Sequence, residues 1–132
     1  MGIFSLFSKT SAQFVSPQAF ERNRANQLSM TPATLEQLRK IGINPEMELK
    51  LEFFFYTNSN DKASALLNAL LAKGYETQQA VCASDKSLQV VTGWTTKMLM
   101  SDTVVSSWTN EMCHLGLNHD CEFDGWGTTP SQ

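Results

Sequence analysis

The segment from Leu49 to Tyr56 alternates between two sets of side chains, and this pattern constrains the fold more than any other part of the chain. One set is Leu49, Leu51, Phe53 and Phe55, and the other is Lys50, Glu52, Phe54 and Tyr56. A period of two places the two sets on opposite faces of a β-strand. The segment therefore predicts a strand, and its place in the order of elements indicates the middle of a sheet.

The chain after this strand predicts two helices and three more strands. The helices span about residues 60–73 and 101–115, with Gly74 and Gly116 as their stops; the strands are 77–83, 88–96 and a terminal one near residues 120–124. The order β-α-β-β-α-β, with a short hairpin and right-handed crossovers, favours the ferredoxin-like split βαββαβ fold of the α+β class. We expect a four-stranded antiparallel sheet with both helices on one face and the first strand between the third and fourth.

The segment before the first strand predicts two short helices. Ser16-Pro17 is typical of an N-cap followed by proline at the first helical position, which predicts a helix over Pro17–Leu28. Thr31-Pro32 repeats the pattern and predicts a second helix from Ala33 to Ile41. Gly42 is a suitable end for it.

Length and composition predict one intracellular domain. In this 132-residue chain we expect an N-terminal, partly helical extension over residues 1–30 and a ferredoxin-like domain over 31–132. A net charge of −3 argues against a general nucleic-acid binder, which usually carries a basic patch. Three cysteines without a CxxC pair predict reduced thiols, hence a cytoplasmic location. No segment is apolar enough for a membrane span, and the apolar run Ile3–Phe7 lacks the features of a signal peptide.

Three carboxylates alternate with apolar residues near the C-terminus. Asp120, Glu122 and Asp124 face one way in an extended strand, and Cys121 and Phe123 face the other. Such a stripe could hold a divalent cation or act in acid–base chemistry. A solvated strand face or an acidic patch for a basic partner is more ordinary, and we favour partner binding.

A group of thiols and imidazoles lies near the end of the second predicted helix. Its members are Cys113, His114, His119 and Cys121. Zinc needs ligands that converge, whereas the adjacent Cys113 and His114 point in different directions on a helix. A Cys–His nucleophile would need a third group that the sequence does not show. With no phosphate-binding or protease motif either, we predict no metal, no cofactor and no enzymatic activity.

Three aromatic residues on predicted strands resemble the stacking platform of an RNA-recognition module. They are Phe54, Tyr56 and Trp94. Such a platform also needs basic residues, and only Lys50 and Lys97 lie near it in sequence. We therefore expect residues 1–45 to cover some of these aromatics, because large exposed apolar patches are uncommon on monomers.

Two motifs resemble one protein family. FDGWGT at residues 123–128 and TGWTTKM at Thr92–Met98 are similar to the family of the regulator of ribonuclease E activity B (RraB), small bacterial proteins that bind and inhibit an RNA-degrading enzyme. The resemblance covers residues 31–128. It implies a ferredoxin-like fold and a cytoplasmic protein that down-regulates an RNase E-type endoribonuclease by protein–protein contact, without direct nucleic-acid binding.

The resemblance also indicates candidate partner-binding residues. They are Asp120, Glu122, Asp124, Gly125, Trp126 and Gly127. The two glycines allow the indole between them to turn back against the protein, so the motif could equally serve to lock the terminal strand. A single-stranded RNA-binding module on the open sheet face and a small-molecule binding domain remain alternatives. The sequence leaves the partner's identity and the oligomeric state open.

Overall fold

The computed structural model describes residues 12–132, and the expectations for residues 1–11, including the run Ile3–Phe7, lie outside the described residues. The described elements are α1 Pro17–Lys40, β1 Glu48–Leu49, β2 Glu52–Thr57, α2 Asn60–Ala72, β3 Glu76–Val81, β4 Gln89–Trp94, β5 Met98–Leu99, α3 Asp102–Asn118 and β6 Glu122–Gly127. The predicted α+β class is confirmed. Among these helices none has the length and apolar character that a membrane crossing requires.

The main sheet has four antiparallel strands in the order β3-β4-β2-β6. The first predicted strand therefore lies between the third and fourth, as expected. One face of the sheet packs against α2 and α3. The buried side chains shared by this face and the two helices include Phe53, Phe55, Val91, Phe123, Leu66, Leu70 and Met112. We call the opposite side, which carries Glu52, Phe54 and Tyr56 of β2, the outer face.

The predicted strand Leu49–Tyr56 is divided in two, because Leu51 pairs with a loop residue. The Leu51 amide donates to Oγ1 of Thr95, and the Leu51 carbonyl accepts from the Thr95 amide, both at 2.9 Å. β1 instead pairs with β5 in a separate two-stranded sheet. Strands of two residues are too short to show a periodic pattern, so the sequence did not predict this sheet.

The prediction of two short helices before the sheet was wrong, because α1 runs without a break through Pro32. A proline inside a helix costs about 3 kcal/mol, since it removes one hydrogen bond and crowds the preceding turn. Here the ring is exposed, and packing on α3 offsets the cost. Three side-chain pairs join the two helices along their lengths: Arg24–Asn110, Thr31–Thr109 and Arg39–Asp102. The helix also continues across the boundary expected between residues 30 and 31.

The prediction that Gly116 ends α3 was wrong, because the helix continues to Asn118. A Cβ atom at Gly116 would lie 2.6 Å from the carbonyl oxygen of Cys121 and 3.1 Å from the Phe55 ring. Glycine therefore lets the start of β6 approach the helix closely. The chain reverses through Asp120, whose φ of 54° lies in the left-handed region.

Candidate functional site

A β-bulge in β6 shapes the terminal motif. Phe123 lies opposite Phe55 and Gly125 lies opposite Phe54, so Asp124 is an extra residue without its own partner on β2. Gly125 has a φ of 118°, which favours glycine. The bulge shifts the alternation of side chains between the two faces by one residue. The side chain two residues after Asp124 therefore faces the helices instead of the outer face.

Trp126 is that side chain, and it joins three elements. It lies opposite Phe53 and packs against the core, so the indole turns against the protein as predicted. Its Nε1 donates to Oγ1 of Thr31 at 3.0 Å, and the Thr31 and Thr109 hydroxyls are 2.9 Å apart. The Thr109 hydroxyl donates to the carbonyl of Val105 at 2.8 Å. Since the Thr109 hydroxyl hydrogen is donated to Val105, Thr31 donates to Thr109. Each of the three donors in this series of hydrogen bonds therefore has an acceptor.

Helix α1 also covers the edge of β6 that does not pair with β2. Nδ2 of Asn23 donates to the carbonyl of Phe123 at 2.8 Å, and the amide of Gln27 lies beside Gly125. An uncovered strand edge tends to pair with other chains, and this contact prevents such pairing here. Gly127, by contrast, has open space around it.

Asp120 does not share a strand face with the other two carboxylates, and this corrects the predicted stripe. β6 begins at Glu122, and Asp120 lies in the turn before it. Its carboxylate accepts hydrogen bonds from the amides of Phe14 and Val15, at 2.7 and 2.8 Å, and pairs with Nζ of Lys62 at 2.6 Å. Burial opposes ionisation, but Lys62 and the two amides outweigh it and lower the pKa of Asp120. Asp120 thus anchors the segment before α1.

Glu122 and Asp124 do lie near each other, on the outer side of the sheet. Glu122 is directly opposite Tyr56 on β2. Burial raises the pKa of Glu122, with a further contribution from Asp124, and burial also raises the pKa of Asp124. Burial and then the Asp124 charge raise the pKa of Tyr56. Within residues 12–132 no lysine or arginine pairs with either carboxylate, so their charges are uncompensated there.

The aromatic residues of the outer face are partly exposed: Phe54, Tyr56 and Trp94. The expectation that residues 1–45 cover some of them is met in part at Phe54, because Gln27, Met30 and Thr34 of α1 line a cleft together with it. Otherwise α1 packs on α3 and the edge of β6. Trp94 has Glu52 on one neighbouring strand and Glu76 on the other. Aromatic and acidic side chains therefore share this face.

The thiols and imidazoles near the end of α3 do not form one site. Burial raises the pKa of both Cys113 and Cys121 to about 11, so neither thiol is poised as a nucleophile. The His114 ring lies 5.1 Å from that of Phe20, and Nδ1 of His119 lies 3.1 Å from a carbonyl in the last turn of α3. In the described residues no group of three His, Cys, Asp or Glu is arranged to hold a metal, and the cysteines are free thiols.

A cleft of about 150 Å³ lies between α1 and the bulge of β6. We call it the Asp124 cleft; its main lining residues are Gln27, Met30, Thr34, Phe54, Asp124 and Trp126. The three α1 residues were not predicted as site residues. Their spacing of three, then four places them on one helix face, but nothing in the sequence indicates that this face adjoins the DGWG motif.

Comparison with known proteins identifies the kind of protein that this chain resembles. The family model described as regulator of ribonuclease activity B matches residues 29–128. No curated protein matches the chain. The matched range includes the whole sheet, α2, α3 and the DGWG motif.

Proposed function

This chain belongs to the RraB family of regulators of ribonuclease activity, and from that premise we propose that it binds an RNase E-type endoribonuclease and lowers its activity. The family match over residues 29–128 is the observation that carries this proposal. The protein acts by contact with the nuclease and has no catalytic role of its own.

The carboxylates of Glu122 and Asp124, which pair with no lysine or arginine among residues 12–132, support a basic partner surface. Nucleases carry such surfaces where they bind RNA, and complementary charge mainly increases the association rate and the selectivity. Affinity comes from a few anchoring residues, often aromatic. Phe54 and Tyr56 lie beside the two carboxylates on the same face and are suited to that role.

Two further parts of the proposal concern fold family and location. The strand order β3-β4-β2-β6, with α2 and α3 on one face, supports a ferredoxin-like split βαββαβ domain, which we assign to residues 31–132. We place the interaction in the bacterial cytoplasm, where such a nuclease degrades RNA.

Binding of single-stranded RNA to the outer face is the second candidate function, because the aromatics there are partly exposed. The acidic residues of the same face oppose it: Glu52, Glu76, Glu122 and Asp124. Lys50 is close by, but its Nζ is 3.3 Å from a carboxylate oxygen of Glu76. A phosphate backbone would meet repulsion on most of this surface. A small-molecule site is a third and less favoured candidate.

Two assays with purified components test the proposal. A binding assay on the nuclease alone should detect a complex. In a cleavage assay, the protein should slow cleavage of a labelled RNA at every RNA concentration that does not saturate the nuclease. A gel shift on the RNA alone should show no complex at micromolar protein. Sub-micromolar RNA binding without nuclease binding would reject the regulator and favour the RNA module.

A further inference from the structure

The walls of the Asp124 cleft differ in character from its rim. Met30 and Phe54 line it with apolar surface, and Met30 is 45% exposed although it is a large hydrophobic residue. Trp126 is fixed in position by its hydrogen bond to Thr31. The cleft is therefore mixed in character and partly open, with apolar surface at Met30 and Phe54 and polar side chains at Gln27 and Thr34.

The charge at this rim is negative, and within residues 12–132 no lysine or arginine pairs with it. Asp124 protrudes at the bulge, and Glu122 is close enough for the Asp124 charge to add to the effect of burial in raising the pKa of Glu122. The four acidic residues that do pair with a lysine or arginine in the described part of the chain lie elsewhere: Asp102, Glu76, Asp120 and Glu111. At the Asp124 cleft, the apolar surface of Met30 and Phe54 thus meets a carboxylate that pairs with no lysine or arginine of residues 12–132.

Lysine and arginine match this combination, because each has an aliphatic stem that packs on apolar surface and a cationic end that seeks a carboxylate. We propose that the Asp124 cleft holds the side chain of an arginine or lysine from the partner protein, its stem against Met30 and Phe54 and its charged end on Asp124. In naming the nuclease as that partner, this inference rests on the proposed function. RNA is disfavoured as the occupant, because a phosphate would meet the Asp124 carboxylate.

The first test uses a probe that does not depend on the nuclease. A hexa-arginine peptide is titrated into the ¹⁵N-labelled full chain, and NMR shifts are followed. The Trp126 indole and the backbone amides of Asp124 and Gly125 should shift with the peptide. Asp124→Asn should weaken this binding about fivefold, the size expected of one exposed charge pair. Shifts confined to the Trp94 side of the sheet would overturn the inference.

The second test measures affinity for the purified RNase E-type nuclease. Asp124→Asn should raise Kd about tenfold, because it leaves the partner's cation unpaired. Met30→Lys should weaken binding as strongly, since it places a competing cation on the wall of the cleft. Asp61→Asn is the matched control: the same chemical change at an exposed residue of α2, expected to leave Kd unchanged. A thermal melt like that of the wild type in each variant shows that the fold is intact.

The outcomes separate the two proposals. If the wild type binds the nuclease but Asp124→Asn and Met30→Lys behave like Asp61→Asn, the cleft is not the contact, while the regulator function stands. If the nuclease is not bound but the peptide still shifts the cleft residues, the regulator function fails, and the preference of the cleft for a cation stands. A dimer that Met30→Lys abolishes in sedimentation would identify a second copy as the occupant and overturn the inference.

Discussion

The indole Nε1 of Trp126 donates a 3.0 Å hydrogen bond to Oγ1 of Thr31, and this bond joins the terminal strand to α1. Thr31 in turn contacts Thr109 of α3, so one buried chain of hydrogen bonds links three elements. This geometry favours a structural role for Trp126. Asp124, two residues earlier, is exposed and unpaired among the described residues, and is better suited to contact a partner. We therefore assign the structural reading of the DGWG motif to Trp126 and propose the partner-binding reading for Asp124.

Thr31→Val should destabilise the protein by about 1–3 kcal/mol, because it leaves the buried Trp126 N–H without an acceptor while keeping the side-chain shape. Thr103→Val makes the same change at an exposed position of α3 and should alter stability by less than about 0.5 kcal/mol. Urea unfolding of both variants gives the comparison. Equal midpoints would show that the hydrogen-bond chain contributes no stability.

Trp126→Ala should lower the free energy of unfolding by about 3 kcal/mol, the lower end of the range for aromatic truncation, since the indole is only partly buried. Thermal melts and a nuclease pull-down are measured on the same variant. A melt like that of the wild type together with lost binding would instead identify Trp126 as an exposed anchor.

Gly116→Ala should destabilise the protein by about 1–3 kcal/mol, although alanine is the better helix former. The new methyl would meet the Cys121 carbonyl at 2.6 Å, a backbone atom that cannot move aside cheaply. Ser107→Ala, at an exposed position of α3, is the control and should be neutral or slightly stabilising. A stabilised Gly116→Ala variant would contradict the close approach.

The sequence predicted those elements whose patterns are local. The alternation around Phe53, the leucine stripe of α2 and the apolar stripe of α3 each repeat over several turns or residues. The strand order followed from short connections and crossover handedness, and it agrees with the sheet observed.

The parts that the sequence did not predict depend on distant contacts. Pro32 stays helical because α1 packs on α3, a contact that no local pattern shows. Asp120 looked like a member of a strand face, but it binds amides about 105 residues earlier in the chain. A single bulge at Asp124 changed the face on which Trp126 lies, and alternation alone cannot anticipate an inserted residue.

Asp120 should make stability depend on pH in the acid range. Its pKa is lowered in the folded protein, so its contribution is complete above the unfolded value, near 3.8, and is lost as pH falls through the folded pKa. Asp120→Asn should therefore destabilise the protein at pH 7 and approach the wild type as the pH falls below the folded pKa of Asp120, where protonation has removed the same ion pair. Urea midpoints at several pH values measure this. A difference that does not change with pH would mean that hydrogen bonding alone accounts for the role of Asp120.

The double variant Glu122→Gln/Asp124→Asn should behave in the opposite way. The pKa of each carboxyl is raised in the fold, so ionisation at neutral pH opposes folding, and that penalty disappears as pH falls through the folded pKa. The amides should therefore leave stability at pH 7 unchanged or higher, with the gain vanishing in acid.

Association with the nuclease should nevertheless slow, and the slowing should diminish at high salt, because the attraction that is lost is screened there. Stopped-flow association rates at two salt concentrations, beside urea midpoints at pH 7, test both parts. A destabilised double variant would mean that these carboxylates support the fold, and an unchanged association rate would mean that they do not meet the partner.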